Sequence, residues 1–575
     1  MTVAASDLAQ TMSDDCAPLH PALARYRDST SGDGRCYADL HEHLLALARA
    51  GLLLVVDEPI NKDTEMHPLV RWQYRGGIPE HKRRAFLFTR PTDAKQGRYH
   101  GAVLVAGLAG NRAIYRIGFG RELSDVGGAW QRAIHAPLKP RLVERAACQE
   151  VVLRGDELDV PGCGLDALPV PISTPGWDNG AYLSAGHFIT RDPDTGIQNL
   201  GTYRGQIKAR RRLGMNASVD FHQGIYQHWL KYRARGEPMP ACVVVGCPPV
   251  VSYAAGTKVP DELDELAVAG ALAGGPINVV RARTVDLLVP AEAEVVIEGL
   301  ISTEFLEPEG PFGESHGHVN PQEYNAYMDV TAITRRRHPI LTSIISQVTP
   351  SESSTIRRAA MEPELLAHLK SGLGIAGLRN VSMHEPLTAV LAVLVLQFES
   401  GTSQTEVWRA LQGAASRYRF AGRWVIAVDE DIDPDNCDAV FWAMAYRSQP
   451  QHDLEVLKHK DRGHGPSGPR DEGENASVLI NATLKGPSAP IALPKREFME
   501  SARKTWERLG LPALEPEMPW FGYPLGAWPA ELERQARLAT SGESLALGEM
   551  FAGMRRADVE MNTPVEFEAD GHADR

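Results

Sequence analysis

The sequence predicts an α/β (α+β) protein in three parts: an N-terminal α/β unit, a central β-rich barrel or sandwich, and a C-terminal α/β layer domain. Three observations carry that prediction. Helix-spaced leucines run directly into a strand-like stretch near residue 40. Short β-rich runs broken by Gly, Pro and Asp fill about 150 to 335, and helical and strand segments alternate again from about 350. A chain of 575 residues is too long for one core, so two or three domains are expected. The segments are a loose tail at 1–30, the α/β part at 31–150, the β-rich domain at 151–335, and an α/β domain at 336–575 closing in a helix and tail.

In "YADLHEHLLALARAGLLLVVDEPI", Leu40, Leu44, Leu45 and Leu47 share a helix face and "LLLVVDEP" reads as the strand that follows. In the centre, "EVVLRGDELDV", "HFITRDPDTGIQNLGTYRGQI", "ACVVVGCPPVVSYA", "INVVRARTVDLLVP" and "AEVVIEGLIS" read as β-rich runs, and "PDELDELAVAGALAG" as one helix inserted among them. Beyond them, "PELLAHLKSGLG", "LTAVLAVLVLQF", "QTEVWRALQGAAS", "RWVIAVDEDI" and "CDAVFWAMAYRS" alternate helix and strand, with no sheet order legible. "HGPSGPRDEGEN" (464–475) reads as a loop, "AWPAELERQARLATSGES" as a helix, and the end as an acidic tail.

Composition excludes several classes. Lys and Arg number 60 against 73 Asp and Glu, a net charge of −13, which argues against a general nucleic-acid binder. The basic "KARRRLG" (208–214) reads as a solvated or phosphate-facing loop. The seven cysteines are scattered without a CxxC pair, as expected of reduced thiols in a cytoplasmic protein. Apolar runs fall short of the roughly 18 residues of a membrane span, and the N-terminus has no signal-peptide core. The expected protein is soluble and stays where it is made.

The residues that could carry chemistry begin with "LEPEGPFGESHGHVNP". Pro311 fixes one backbone angle and Gly310 and Gly313 permit tight bends, so the turn can aim Glu309 and Glu314 into one space. Two carboxylates brought close raise one pKa and make a proton donor available near neutrality; the plainer alternative is a surface loop with two solvated acids. In "NLGTYR", Asn199 and Arg204 would fall on opposite strand faces unless Gly201 and Thr202 bend the chain. Such a bend exposes backbone N–H groups that can hold a phosphate and leaves Arg204 free to pair with a carboxylate. His222 in "VDFHQGIYQHW" reads as a helix cap or packing residue. Glu262, Asp264 and Glu265 sit where acids favour a helix start anyway. Asn, His and Glu from three distant segments would suit a hard metal, but spacing does not show that they meet.

"DPDTGIQNLGTYRGQI", "EGPFGESHGHV" and "RWVIAVDEDID" together resemble the UbiD family of reversible decarboxylases that use prenylated FMN, and the likeness runs in order from about Asp39 to beyond Thr483. The resemblance implies that the centre is a split β-barrel binding the flavin and that the C-terminal domain serves oligomerisation, giving a homodimer or a higher multiple. It implies a catalytic triad of Arg204, Glu309 and Glu314. It places the cofactor against Asn199, Gly201, Thr202, Tyr203, Arg204, Phe221, His222, Ser252 and Glu265, with Mn2+ on Asn199, His222 and Glu265 and K+ nearby. The implied reaction removes CO2 from an aromatic, heteroaromatic or α,β-unsaturated acid, with Glu314 as proton donor. A flavin prenyltransferase would be the partner supplying the cofactor.

Three positions depart from the family pattern. Gln397 replaces a lysine that would grip the flavin phosphate, which makes Lys208 or Arg210 the substitute cations. Phe221 stands where some relatives have glutamine, and Asn481 where aspartate is usual. Ser315, the stretch 340–347 and the loop around Phe441 are expected to line the substrate pocket. Two other functions compete: a non-catalytic flavin-binding subunit, which loss of Arg204, Glu309 or Glu314 would favour, and a flavin reductase, for which no Gly-x-Gly-x-x-Gly fingerprint joins a strand to a following helix.

Overall fold

A computed structural model describes residues 19–26, 34–95, 97–217, 223–384, 392–417, 422–461, 474–486, 492–514 and 529–565. Most of the expected 1–30 tail, Phe221, His222, nearly all of the 464–475 loop and the acidic C-terminal tail lie outside these residues.

The leucine-spaced helix runs Leu40–Arg49, capped by the Asp39 side chain on the Glu42 N–H. The strand Leu53–Asn61 follows and pairs in parallel with Ala85–Thr92. The N-terminal sheet has four strands, and the fourth, Ile340–Ser343, returns from beyond the central domain to pair with Ala102–Val105. The N-terminal unit is therefore built from two stretches of chain.

The central sheet has ten strands around a long hub, Glu323–Arg335. Its path runs Tyr182–Leu183, Gly205–Ala209, Arg212–Met215, the hub, Val295–Ile301, Met239–Val245, His187–Arg191 and Gln198–Thr202, every neighbour antiparallel. Gln198–Thr202 ends the path, whereas Gly205–Ala209 lies next to its other end. Only Tyr203 and Arg204 separate them in sequence, so the sheet must curl until its ends nearly meet. Among the described residues no ladder closes the ring, and Arg204 sits in the split.

Two local readings change. "PPVVSYA" is not strand but the helix Pro249–Ala255: the left-handed Gly246 ends the preceding strand and a proline at the first helical position starts the new element. The helix expected from Pro363 begins at Glu352, capped by Ser351, and carries Pro363 inside it. The C-terminal sheet, whose order sequence did not show, runs Leu378–Met383, Val393–Phe398, Trp424–Asp429, Glu474–Ala482, Leu454–Asp461, with the middle three parallel. Among the described residues no helix is long and apolar enough to cross a membrane.

Candidate active site

The split in the sheet brings Arg204 to both glutamates. Its Nε donates to Glu309 Oε1 at 3.0 Å and its Nη2 to Glu309 Oε2 at 2.6 Å, while Nη1 takes Glu314 Oε1 in a short contact. The fork–fork geometry fixes the guanidinium plane as one N–H donor could not. The side chains of Arg204 and Glu309 are 6% and 0% exposed, against 18% for Glu314, so Glu314 is the acid open to a ligand. Burial by itself would depress the Arg204 pKa, but the hydrogen bonds and charges of the two glutamates outweigh it and raise it. Arg204 stays a cation.

The surrounding residues hold this geometry. Glu309 ends the short strand Glu307–Glu309 on the central hub, and Asn325 of the hub adds a hydrogen bond at 3.3 Å. Gly310 is left-handed, and its N–H meets the Tyr182 hydroxyl at 3.1 Å. Phe312 packs against Tyr182 and lies under Arg204, 5.1 Å from ring centre to guanidinium carbon. Phe312–Gly313 pairs with Val319–Asn320 as a small hairpin, which carries Glu314 at its tip. Asp178 accepts from the Gly313 N–H, and His316 meets Asn320 at 2.9 Å.

Asn199 and Glu265, the two described members of the expected metal set, share a cavity of about 210 Å3 with Gly224, His228 and Asp261. Glu265 opens the helix Glu265–Ala273 behind its Asp264 cap and accepts the Leu200 N–H at 2.8 Å. Burial pushes its carboxyl up to about 7. Among the described residues the buried Asn199 amide nitrogen has no hydrogen-bond partner. A Cβ on Gly224 would lie 2.1 Å from Asn199 Oδ1, so only glycine leaves Asn199 its place. The side-chain oxygens of Asn199 and Glu265 fit a hard cation, and the Asn199 NH2, a donor, fits an anionic oxygen beside it. Among the described residues no cluster of three or more His, Cys, Asp or Glu forms a metal set by itself.

The other expected cofactor residues divide. Thr202 and Ser252 are linked through His187, whose ring nitrogens lie 2.9 Å and 2.8 Å from their hydroxyls. Sequence reading missed His187. Burial holds its pKa down at about 4, so it is neutral. Its signal was its place: a histidine opening a strand whose register pairs it with Thr202. The expected bend at Gly201–Thr202 falls instead at Tyr203–Arg204, because regular pairing continues through Thr202. Gly201 has another use, since a Cβ there would lie 2.4 Å from the Tyr203 hydroxyl oxygen. The Tyr203 N–H faces the Gly186 carbonyl at 3.4 Å rather than standing open for a phosphate.

Both substitute cations are already engaged. Lys208 holds Glu307 and the Pro308 carbonyl, Arg210 holds Asp166, and neither lines the Asn199 cavity. Gln397 lies within a C-terminal strand and donates to the Glu430 and Ile432 carbonyls, a structural role. Asn481 is satisfied by Gln404 and Thr483. Phe441 belongs to the helix Cys437–Arg447, not a loop, and is 61% exposed.

Residues 141–348 match the family model of the 3-octaprenyl-4-hydroxybenzoate carboxy-lyase Rift-related domain, and residues 354–481 match that of the C-terminal domain of the same carboxy-lyase. The chain belongs to the UbiD family. It is a carboxy-lyase of that class. Solved UbiD-class structures have the same fold. HmfF from Pelotomaculum thermopropionicum in complex with FMN is 27% identical, covering 81% of this chain and 99% of that one with a TM-score of 0.71. An evolved dimeric form of HmfF in complex with prFMN is also 27% identical, covering 80% and 97% with a TM-score of 0.68. The vanillic acid decarboxylase of Sedimentibacter hydroxybenzoicus in closed form is 25% identical, covering 82% and 99% with a TM-score of 0.65.

Proposed function

We propose that this UbiD-family protein catalyses the reversible, non-oxidative decarboxylation of an aromatic, heteroaromatic or α,β-unsaturated acid on prenylated FMN. Arg204, Glu309 and Glu314 act as its catalytic residues. The observation that carries the reading is the buried guanidinium clamped on both oxygens of Glu309 and on one oxygen of the more accessible Glu314. That likeness to solved relatives bound to FMN and to prFMN extends over four-fifths of the chain adds support.

Prenylated FMN, when bound, supplies an electrophilic centre for the electron pair released as CO2 leaves. The chain's residues do the rest. Glu314 delivers the proton to the carbon that lost CO2, and takes it back in the carboxylation direction. Arg204 orients Glu314 and is itself fixed by its two-point pairing with Glu309. Asn199, His222 and Glu265 would hold Mn2+, with K+ nearby; the buried Glu265 carboxyl suits a cation, and the Asn199 NH2 suits a phosphate oxygen of the flavin. Gly201, Thr202, Tyr203 and Ser252 would line the cofactor, with His187 positioning two of them. Phe221 would add an apolar wall. The cofactor would come from a flavin prenyltransferase, and the C-terminal domain would pair the chains.

Co-expression with a flavin prenyltransferase, followed by aromatic and acrylic acids assayed for CO2 release and for deuterium uptake into the product, tests this. Glu314→Gln should lower turnover by ~10^2- to 10^4-fold, the usual worth of a positioned acid, with the bound-flavin spectrum intact. A Glu314→Gln enzyme near the wild-type rate would overturn the assignment.

A further inference from the structure

Two histidines follow Glu314 closely in the chain. His316 is buried and His318 exposed, with ring centres 5.7 Å apart. A histidine pair between solvent and a proton-carrying acid would suit a relay. The hydrogen bonds give His316 a different task. Its Nε2 lies 2.9 Å from Asn320 Oδ1, an oxygen that only accepts, so Nε2 carries the ring hydrogen. Its Nδ1 lies 3.3 Å from the backbone nitrogen of His318, an N–H that only donates, so Nδ1 keeps a bare lone pair. Together the two contacts fix one neutral tautomer. A second proton, on Nδ1, would face the His318 N–H and break the contact. With both nitrogens engaged inside the hairpin, the ring braces it and passes no proton along it.

The braced turn is the one that aims Glu314. The Glu314 N–H donates to the His318 carbonyl at 2.9 Å, and the Gly317 N–H donates to the Glu314 carbonyl at 2.9 Å, with Gly317 left-handed. Ser315, His316 and Gly317 thus form a short hairpin loop between Glu314 and His318, of the kind that places a glycine at its left-handed position. His318 is gripped at both ends, by the imidazole at its N–H and by Glu314 at its carbonyl. Asn320, at the far end of the brace, pairs in the ladder with Phe312, whose ring lies beneath Arg204. The imidazole therefore ties the tip of the loop to the part of the hairpin that packs on the guanidinium.

We infer that neutral His316 is a positioning residue for Glu314: it fixes the backbone of the turn, so that the acid leaves Arg204 and reaches the substrate carbon by rotating its side chain alone. This rests on the role of Glu314 as proton donor proposed above. The proton travels on the Glu314 carboxyl, and His316 neither gains nor loses one. A fixed backbone keeps the carboxyl's excursion short and repeatable. That matters because a misplacement of about 1 Å at a reacting group costs on the order of 10^2-fold in rate.

The full-length enzyme co-expressed with a flavin prenyltransferase tests this, with turnover, flavin content and thermal unfolding measured on each variant. His316→Leu should lower kcat by ~10- to 100-fold, with KM, flavin content and unfolding temperature little changed. Asparagine carries an amide oxygen near the place of Nδ1 and glutamine an amide nitrogen near that of Nε2. His316→Asn and His316→Gln should therefore each recover part of the loss. Added to Glu314→Gln, His316→Leu should cost nothing further, since it acts through that acid. In wild-type enzyme isotopically labelled at the histidine ring nitrogens, the His316 resonances, identified by their absence from His316→Leu, should report a neutral ring with its hydrogen on Nε2. A hydrogen on Nδ1 or on both nitrogens would overturn the proposal, as would a His316→Leu enzyme at the wild-type rate. A loss of equal size in the Glu314→Gln background would also overturn it, and so would a fall in flavin content or unfolding temperature that accounts for the lost turnover. The Nε2 tautomer in an enzyme whose Glu314→Gln variant keeps its full rate would leave the brace standing and sink the role of Glu314 instead.

Discussion

Arg204 shows how far one residue's surroundings decide its chemistry. Glu309 is fully buried, and its charge is compensated mainly by this guanidinium. Removing the cation would strand an ionised carboxylate in low dielectric, a loss of ~3–5 kcal/mol in comparable buried pairs. Arg204→Ala should therefore lower stability in urea unfolding by about that amount, and the double variant with Glu309→Gln should recover much of it. If single and double variants unfold alike, the pair is not what holds this part of the barrel. Glu314 keeps more exposure, and this difference between two acids five residues apart fits the proposed division between a fixed counter-ion and a proton carrier. The sequence brought both acids to one turn through Pro311 and its glycines, but it could not say which would be enclosed. Burial depends on what packs over the turn, here Tyr182 and Phe312.

At the scale of elements, the start of the helix Gly224–Arg235 shapes the cavity that contains Asn199 and Glu265. Gly224→Ala should fold well, since alanine favours the helix by ~1 kcal/mol over glycine and the atoms in its way end a side chain that can rotate. Rotating Asn199 removes it from the cavity, so the variant should be purified with markedly less divalent metal and flavin, at an unchanged or raised unfolding temperature. Metal analysis and the flavin absorbance of co-expressed protein check this, and full cofactor occupancy would count against Asn199 as a ligand. The strands around this cavity were legible from alternation and turn residues. The helix Pro249–Ala255 was not, because "VVSYA" suits either element and only the two prolines before it hint at a helix start.

At the scale of the whole molecule, Glu352 joins the parts. It is fully enclosed at the start of its helix and accepts the N–H groups of Leu108 and Ala109 from the N-terminal unit and of Ile345 beside the site. Burial raises its pKa from 4.5 to about 7 despite those hydrogen bonds. Its folded pKa lies above its unfolded one, so its contribution to stability is complete below about pH 4.5 and is lost as pH rises through about 7. The cofactor-free protein should lose up to ~3 kcal/mol between pH 5 and 8 from this group. Glu265, pushed up to about 7, and Asp264, to about 6, have the same sign. Urea unfolding at the two pH values should therefore give a smaller difference in Glu352→Gln than in the wild type, whatever the variant's absolute stability. An identical slope would show that Glu352 does not titrate in this range.

By itself the sequence determined much of the alternation of elements and the motifs that resemble the UbiD family, because periodicity, turn residues and local spacing are properties of neighbouring positions. Only the tertiary structure decided that Arg204 lies in the split of a curled sheet, that Gln397 and Lys208 are engaged elsewhere, and that His187 links Thr202 to Ser252. Each of these depends on contacts between residues far apart in the chain. Burial and charge pairing at such contacts belong to the packed molecule and leave no mark on the spacing of its residues.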